Sequence, residues 1–294
     1  MNRTLLSLVL LSAGLAGAVS PVLAQERAVA STHAAASVSV PDPARQITDL
    51  AQKFRAGDLS GLAQSVVPPE KWRAARAAYE RKRAEPTTEE DRARFAEKFA
   101  RITSADAVDQ FMADIEPKLA RARPQLPGAL LMGFGAMAMA IDSPESDLTP
   151  AERAALKSAM PGLQRWANGT DFLSSATMRR AVGRIVDAAR STGITDIDQL
   201  KSLPLEGVLE RAAPVFTAAK EAVGYYGIDL DAIAATLKVD VLNLETATAR
   251  VRTTVTVFGA PVSSEHDLVL VEGRWYDKDA LVHFDEELDD DVES

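Results

Sequence analysis

The sequence predicts an α+β protein, mainly α-helical with a small C-terminal antiparallel β-meander. Three observations lead there. From Asp42 to Thr236, apolar residues recur at helical spacing in stretches stopped by proline and glycine. After Thr236 the pattern changes to alternation rich in β-branched residues, as in Ala249-Arg-Val-Arg-Thr-Thr-Val-Thr-Val-Phe258. Within the helical part stands Gly128 to Ile141, fourteen residues without a charged or hydrogen-bonding side chain.

The chain opens with Arg3, an apolar run from Leu5 to Ala18, and Pro21-Val-Leu-Ala24 before Gln25. A positive start, a short apolar segment and small residues at Val22 and Ala24 mark a secretory signal, so residues 1–24 are expected to be a signal peptide cleaved after Ala24. The implied compartment is the periplasm. Without cysteine the chain has no disulfide, no cysteine nucleophile, no thiolate metal site and no lipidated cysteine. Residues 25–41 are small and aperiodic and are expected to form a disordered linker, with His33 an incidental polar residue in it.

Asp42-Pro43 is a helix start, with Asp as the cap and proline in the first turn. Ile47, Leu50, Ala51 and Phe54 form its stripe and Gly57 its stop; Leu59, Leu62 and Val66 continue to Pro68-Pro69. Trp72, Ala75 and Tyr79 are the inner face expected of the next helix, which Pro86 breaks. Thr87-Thr-Glu-Glu90 reads as a capping box, opening a helix striped by Phe95, Phe99 and Ile102. The helix from Ser104 carries Val108, Phe111, Met112, Ile115 and Leu119, and Pro117 is expected to kink or divide it. Thr149-Pro-Ala-Glu152 combines cap, first-turn proline and capping glutamate. It opens a helix lined by Leu156, Met160, Leu163 and Trp166. Met178, Val182, Ile185 and Val186 line the next, which Gly193 stops. A short turn from Thr195 to Leu203, a long helix from Leu205 to Tyr226 bent at Pro214, and a short helix capped by Asp229 complete a helical domain over residues 42–236.

The run from Gly128 to Ile141 is apolar all round, so it needs cover on every side. The striped helices around it predict that it is the buried central helix. The functional alternatives are a pocket or groove for an apolar ligand or partner, lined by Met132, Phe134 and Met137, and contact with a membrane. Fourteen residues reach only ~21 Å, short of a ~30 Å hydrocarbon layer, so no stable membrane span is expected.

Val239 and Val241, then Ala249–Phe258, Val262–Val271 and Arg274–Tyr276, predict three or four strands over residues 237–284, turned at Gly259-Ala-Pro261 and at Glu272-Gly273. Trp275 follows that tight turn in a strand too short to hold itself, so its ring is expected to anchor the meander to the helices; if exposed, it joins the ligand-binding candidates. The segment Asp285 to Ser294 holds seven acids and no base, and is expected to be a disordered acidic tail. The strand sequences Ala249-Arg-Val-Arg-Thr-Thr-Val and Leu268-Val-Leu-Val-Glu-Gly-Arg-Trp-Tyr276 resemble the closing sheet of exported cone-shaped α+β proteins related to nuclear transport factor two. The helix from Ala44 to Asp58 is similar to their first helix, while the helices between depart from that family. This resemblance implies a fold and no activity, because the family's pockets serve unrelated functions. The whole chain resembles uncharacterised exported proteins of Gram-negative bacteria, from which no activity carries over.

The net charge is −9, and the acidic tail accounts for most of it; the body is near neutral and lacks the basic patch that nucleic-acid binding requires. His266, Asp267, His283 and Asp285 offer nitrogen and oxygen ligands, but no tight metal-binding spacing occurs, so no metal and no cofactor is expected. There is no Gly-x-Ser-x-Gly elbow, no phosphate loop and no dinucleotide fingerprint, and no residue is selected as catalytic. The leading expectation is an exported, non-enzymatic binding or interaction module for an apolar ligand or protein partner. The alternative is a periplasmic hydrolase with a carboxylate or metal site near His266 and His283.

Overall fold

A computed structural model describes residues 40–146 and 148–281. The signal peptide, most of the linker, His283 and the acidic tail lie outside the described residues. The architecture is α+β and mainly helical, with one small antiparallel sheet at the C-terminal end. The helices are α1 (Pro43–Ala56), α2 (Leu59–Val66), α3 (Pro69–Ala84), α4 (Glu89–Thr103), α5 (Ala107–Ala122), α6 (Leu126–Asp142), α7 (Pro150–Gly169), α8 (Ser175–Ser191), α9 (Ile197–Ser202), α10 (Leu205–Gly224) and α11 (Leu230–Ala235). The strands are β1 (Lys238–Leu244), β2 (Thr248–Val257), β3 (Ala260–Val271) and β4 (Arg274–Asp277), side by side in chain order.

The helix boundaries follow local chemistry. The Asp42 carboxylate accepts from the Ala44 amide at 2.9 Å, and Pro43 needs no partner for a missing N–H. Gly57 ends α1 at φ 72°, a conformation side chains rarely adopt. Thr149 and Glu152 close the expected capping box on α7. The other box sits one residue later than expected, on Thr88 and Asp91 rather than Thr87 and Glu90. Both registers offer a threonine with an acid three residues on, and the observed one satisfies the Thr88 and Asp91 amides reciprocally at 3.1 Å. Neither Pro117 nor Pro214 divides its helix; α5 and α10 run on past them.

Small residues let the helices approach closely where α8 meets α10: Ala181, Ala188 and Ala189 on one, Ala218 and Ala222 on the other, all buried. Lys220 is buried in the same layer. Its ammonium donates to the Phe54 carbonyl at 2.7 Å and the Arg55 carbonyl at 3.2 Å, and pairs with Asp231 at 2.6 Å. It thus binds the orphan carbonyls at the end of α1 to α11.

Two turns set the sheet register. Phe258-Gly259 and Glu272-Gly273 each place both residues at positive φ, which gives the two-residue turn that suits strand twist. Ala260 and Pro261, expected in the first turn, belong instead to β3. Ala249, Val251, Leu268 and Trp275 form the buried sheet face, with Val40, Ile47, Val239 and Leu270 against them. Trp275 joins the sheet to α1: Gln46 both donates to its carbonyl at 2.6 Å and accepts from its amide at 2.9 Å. The indole N–H donates to the Pro41 carbonyl at 2.7 Å. Val40 and Pro41, assigned to the linker from sequence, are therefore held by the core. A second junction packs Trp166 of α7 against Phe258 of the β2–β3 turn, ring centroids 5.1 Å apart and planes tilted by 31°.

Candidate docking surface

The sequence-based expectation that Gly128 to Ile141 is the buried central helix is overturned. On α6, Leu131 is 77%, Met132 73%, Met139 70% and Met137 41% exposed. Gly128, Gly133 and Gly135 face open space, where an added Cβ would meet nothing within 4 Å. Leu126, Leu130 and Phe134, spaced along one face, are half-buried, and Ile141 is buried. The helix packs on α7. At the break before it the chain bends by 71° between α5 and α6. Uniform apolarity states that a helix needs cover; it does not state that its own chain supplies it.

Charged contacts hold the C-terminal end of this helix and the break just before its N-terminal end, while its middle stays open. At the C-terminal end the Arg153 guanidinium of α7 donates to the Ile141 carbonyl, to the Ser143 carbonyl at 3.2 Å and to the Ser146 hydroxyl at 2.9 Å. Lys157 pairs with Asp142, and its hydrogen bond and charge hold the Asp142 carboxyl below the usual carboxylate range. At the N-terminal end Arg123 donates to the Leu173 carbonyl at 2.7 Å and to Asp171 at 3.4 Å. Lys118 and Arg121 stand exposed in the last turns of α5, and no acid occurs from Pro117 to Ile141. The arrangement presents an apolar rod with Lys118 and Arg121 beside its N-terminal end and Asp142 at its C-terminal end.

The four candidate ligand-binding residues do not form one site. Met132, Phe134 and Met137 share α6, with Met132 outward and Phe134 half-buried. Trp275 is 3% exposed in the sheet core, as the anchor reading expects. The residues that present α6, namely Arg153, Lys157 and Arg123, escaped the sequence reading because their partners are backbone carbonyls or carboxylates outside any motif.

His266 belongs to a different set from the one drawn in sequence. Asp267 points to the opposite sheet face, where Arg250 approaches it at 3.7 Å. His266 instead joins three strands: Nδ1 lies 3.0 Å from Asp277 Oδ2 on β4, and Nε2 lies 3.2 Å from Thr253 Oγ1 on β2. Burial works to raise the Asp277 carboxyl, but the His266 hydrogen bond and charge, with the Ala280 and Asp279 amides, hold it below the usual range. The alternation of β3 separates His266 from Asp267; the register of β4 that brings Asp277 near is not readable from one strand. Among the described residues, no three His, Asp or Glu side chains are placed to hold a metal ion. Comparison with known proteins gives no relative: no family model, curated protein or solved structure matches the chain.

Proposed function

We propose that this chain is an exported, non-enzymatic binding module that docks through α6. The N-terminal pattern of Arg3, the apolar run and Ala24 supports export. One observation supports docking above the rest: Leu131, Met132 and Met139 stand mostly in solvent on a helix tethered at its C-terminal end and just before its N-terminal end. Contiguous exposed apolar surface on a folded chain marks an interaction site, and methionines adapt to irregular partners. The test is a photo-crosslinking residue placed at Met132 or Met139 of the full chain in intact cells, with exposed Ala93 on α4 as control. Adducts to another macromolecule or to lipid at positions 132 and 139, and none at 93, are expected. No adduct at either α6 position would overturn the reading.

A hydrolase is the second reading, favoured by the Thr253–His266–Asp277 relay. It orders hydroxyl, imidazole and carboxylate as a nucleophile, base and orienting group require. Turnover of activated esters by the purified chain, abolished in Thr253→Ala, would support it; equal rates in the two would end it.

A further inference from the structure

We infer that the partner of α6 is a lipid surface carrying anionic headgroups. The inference rests on the reading of α6 as a docking element and adds its occupant. The exposed side chains first separate a surrounding medium from a groove. A groove on a protein takes one stripe of a helix, typically residues spaced three, four and seven apart. At ~100° per residue, Leu131, Met139 and Met132, with Gly128, Ala136, Ala140 and Met137 continuing round, turn more than half of the circumference of α6 to solvent. Acyl chains surround a helix on all its open sides; a groove does not.

The lack of polar groups points the same way. From Leu126 to Ile141 no side chain is charged or carries a conventional hydrogen-bonding group. Protein and small-molecule recognition fixes orientation with a few placed polar groups, and α6 places none before its last residue, Asp142. Hydrocarbon requires none. Glycine, which recurs at 128, 133 and 135, weakens a helix in water but is frequent in helices within lipid.

Length and charge set how the helix lies. Its 17 residues measure ~25 Å, below the ~30 Å of a hydrocarbon layer. No single helix among the described residues is long and apolar enough to cross a membrane; α5 and α6 meet that test only together, and they are bent by 71°. With its C-terminal end tied to the body through Arg153, and Arg123 tied just before its N-terminal end, α6 lies along a surface rather than across it. Lys118 and Arg121, exposed beside the N-terminal end, then meet the headgroups.

Flotation of the purified chain with vesicles tests this, using phosphatidylcholine alone and phosphatidylcholine with one quarter phosphatidylglycerol. The wild type is expected to float with the anionic vesicles. Met132→Asp/Met139→Asp should lower that partitioning at least about tenfold, since each loses apolar burial and adds a charge. Lys118→Gln/Arg121→Gln should lower it about 25-fold on anionic vesicles only, at roughly fivefold per lost cation. Absence of flotation with either vesicle, or flotation of Met132→Asp/Met139→Asp equal to wild type, would overturn the inference. If flotation is absent while crosslinks from Met132 reach a protein or a second copy, the lipid assignment falls and the docking reading stands. If both are absent, both fall.

Discussion

Trp275 shows how one residue can be read correctly for its packing and still leave function open. The turn at Glu272-Gly273 and the four-residue strand after it require an anchor, and the ring supplies it at 3% exposure, with Gln46 and Pro41 taking its polar groups. Trp275→Ala is expected to cost about 3–5 kcal/mol in equilibrium unfolding. A loss below about 1 kcal/mol would mean that the sheet is held otherwise. Asp277 is not legible in the sequence because its partners come from strand register. Its carboxyl is held below its unfolded value, so folding favours the ionised form. Its contribution is present above the unfolded pKa of about 3.9 and is lost as pH falls through the lower folded value. Wild type should therefore exceed Asp277→Asn in stability at neutral pH, with the gap narrowing below about pH 4. A gap that does not change with pH would show that the His266 pair contributes nothing through ionisation.

Helix ends were legible to within a residue where a side chain meets its own backbone, the box of α4 falling on Thr88 rather than Thr87. Asp42, Thr149 and Asp229 cap as their sequence context dictates, because the bond spans two or three residues and needs no tertiary partner. Strand turns were legible to within two residues, since Gly259 takes the second place of its turn and Ala260 and Pro261 already pair in β3. Gly162 was not legible. It lies inside α7, where a glycine reads as a weakness, yet an added Cβ there would stand 2.2 Å from the Phe258 carbonyl. The close approach of α7 to the β2–β3 turn depends on it. Gly162→Ala is expected to destabilise by about 1–3 kcal/mol, despite the better helix propensity of alanine. A gain in stability, by thermal or chemical unfolding, would show that the turn moves aside freely.

At the level of the whole molecule, α7 is the hinge of the architecture. Its first turns hold the end of α6 through Arg153 and Lys157, and its last turns hold the sheet through Gly162 and Trp166. The fold class was readable because the change of period after Thr236 is a local signal. The placement of α6 was not, because an apolar helix looks alike whether its cover is its own chain or something else. Exposure also separates two kinds of methionine: Met112, fully buried in α5, and Met132, mostly in solvent. The state of α6 is decided most directly by chemical unfolding of Met132→Asp/Met139→Asp beside wild type. If α6 is an exposed docking helix, the variant unfolds cooperatively with a stability within about 0.5 kcal/mol of wild type. If α6 is instead buried core, two unpaired charges enter the interior, and the variant loses more than about 2 kcal/mol or fails to fold cooperatively.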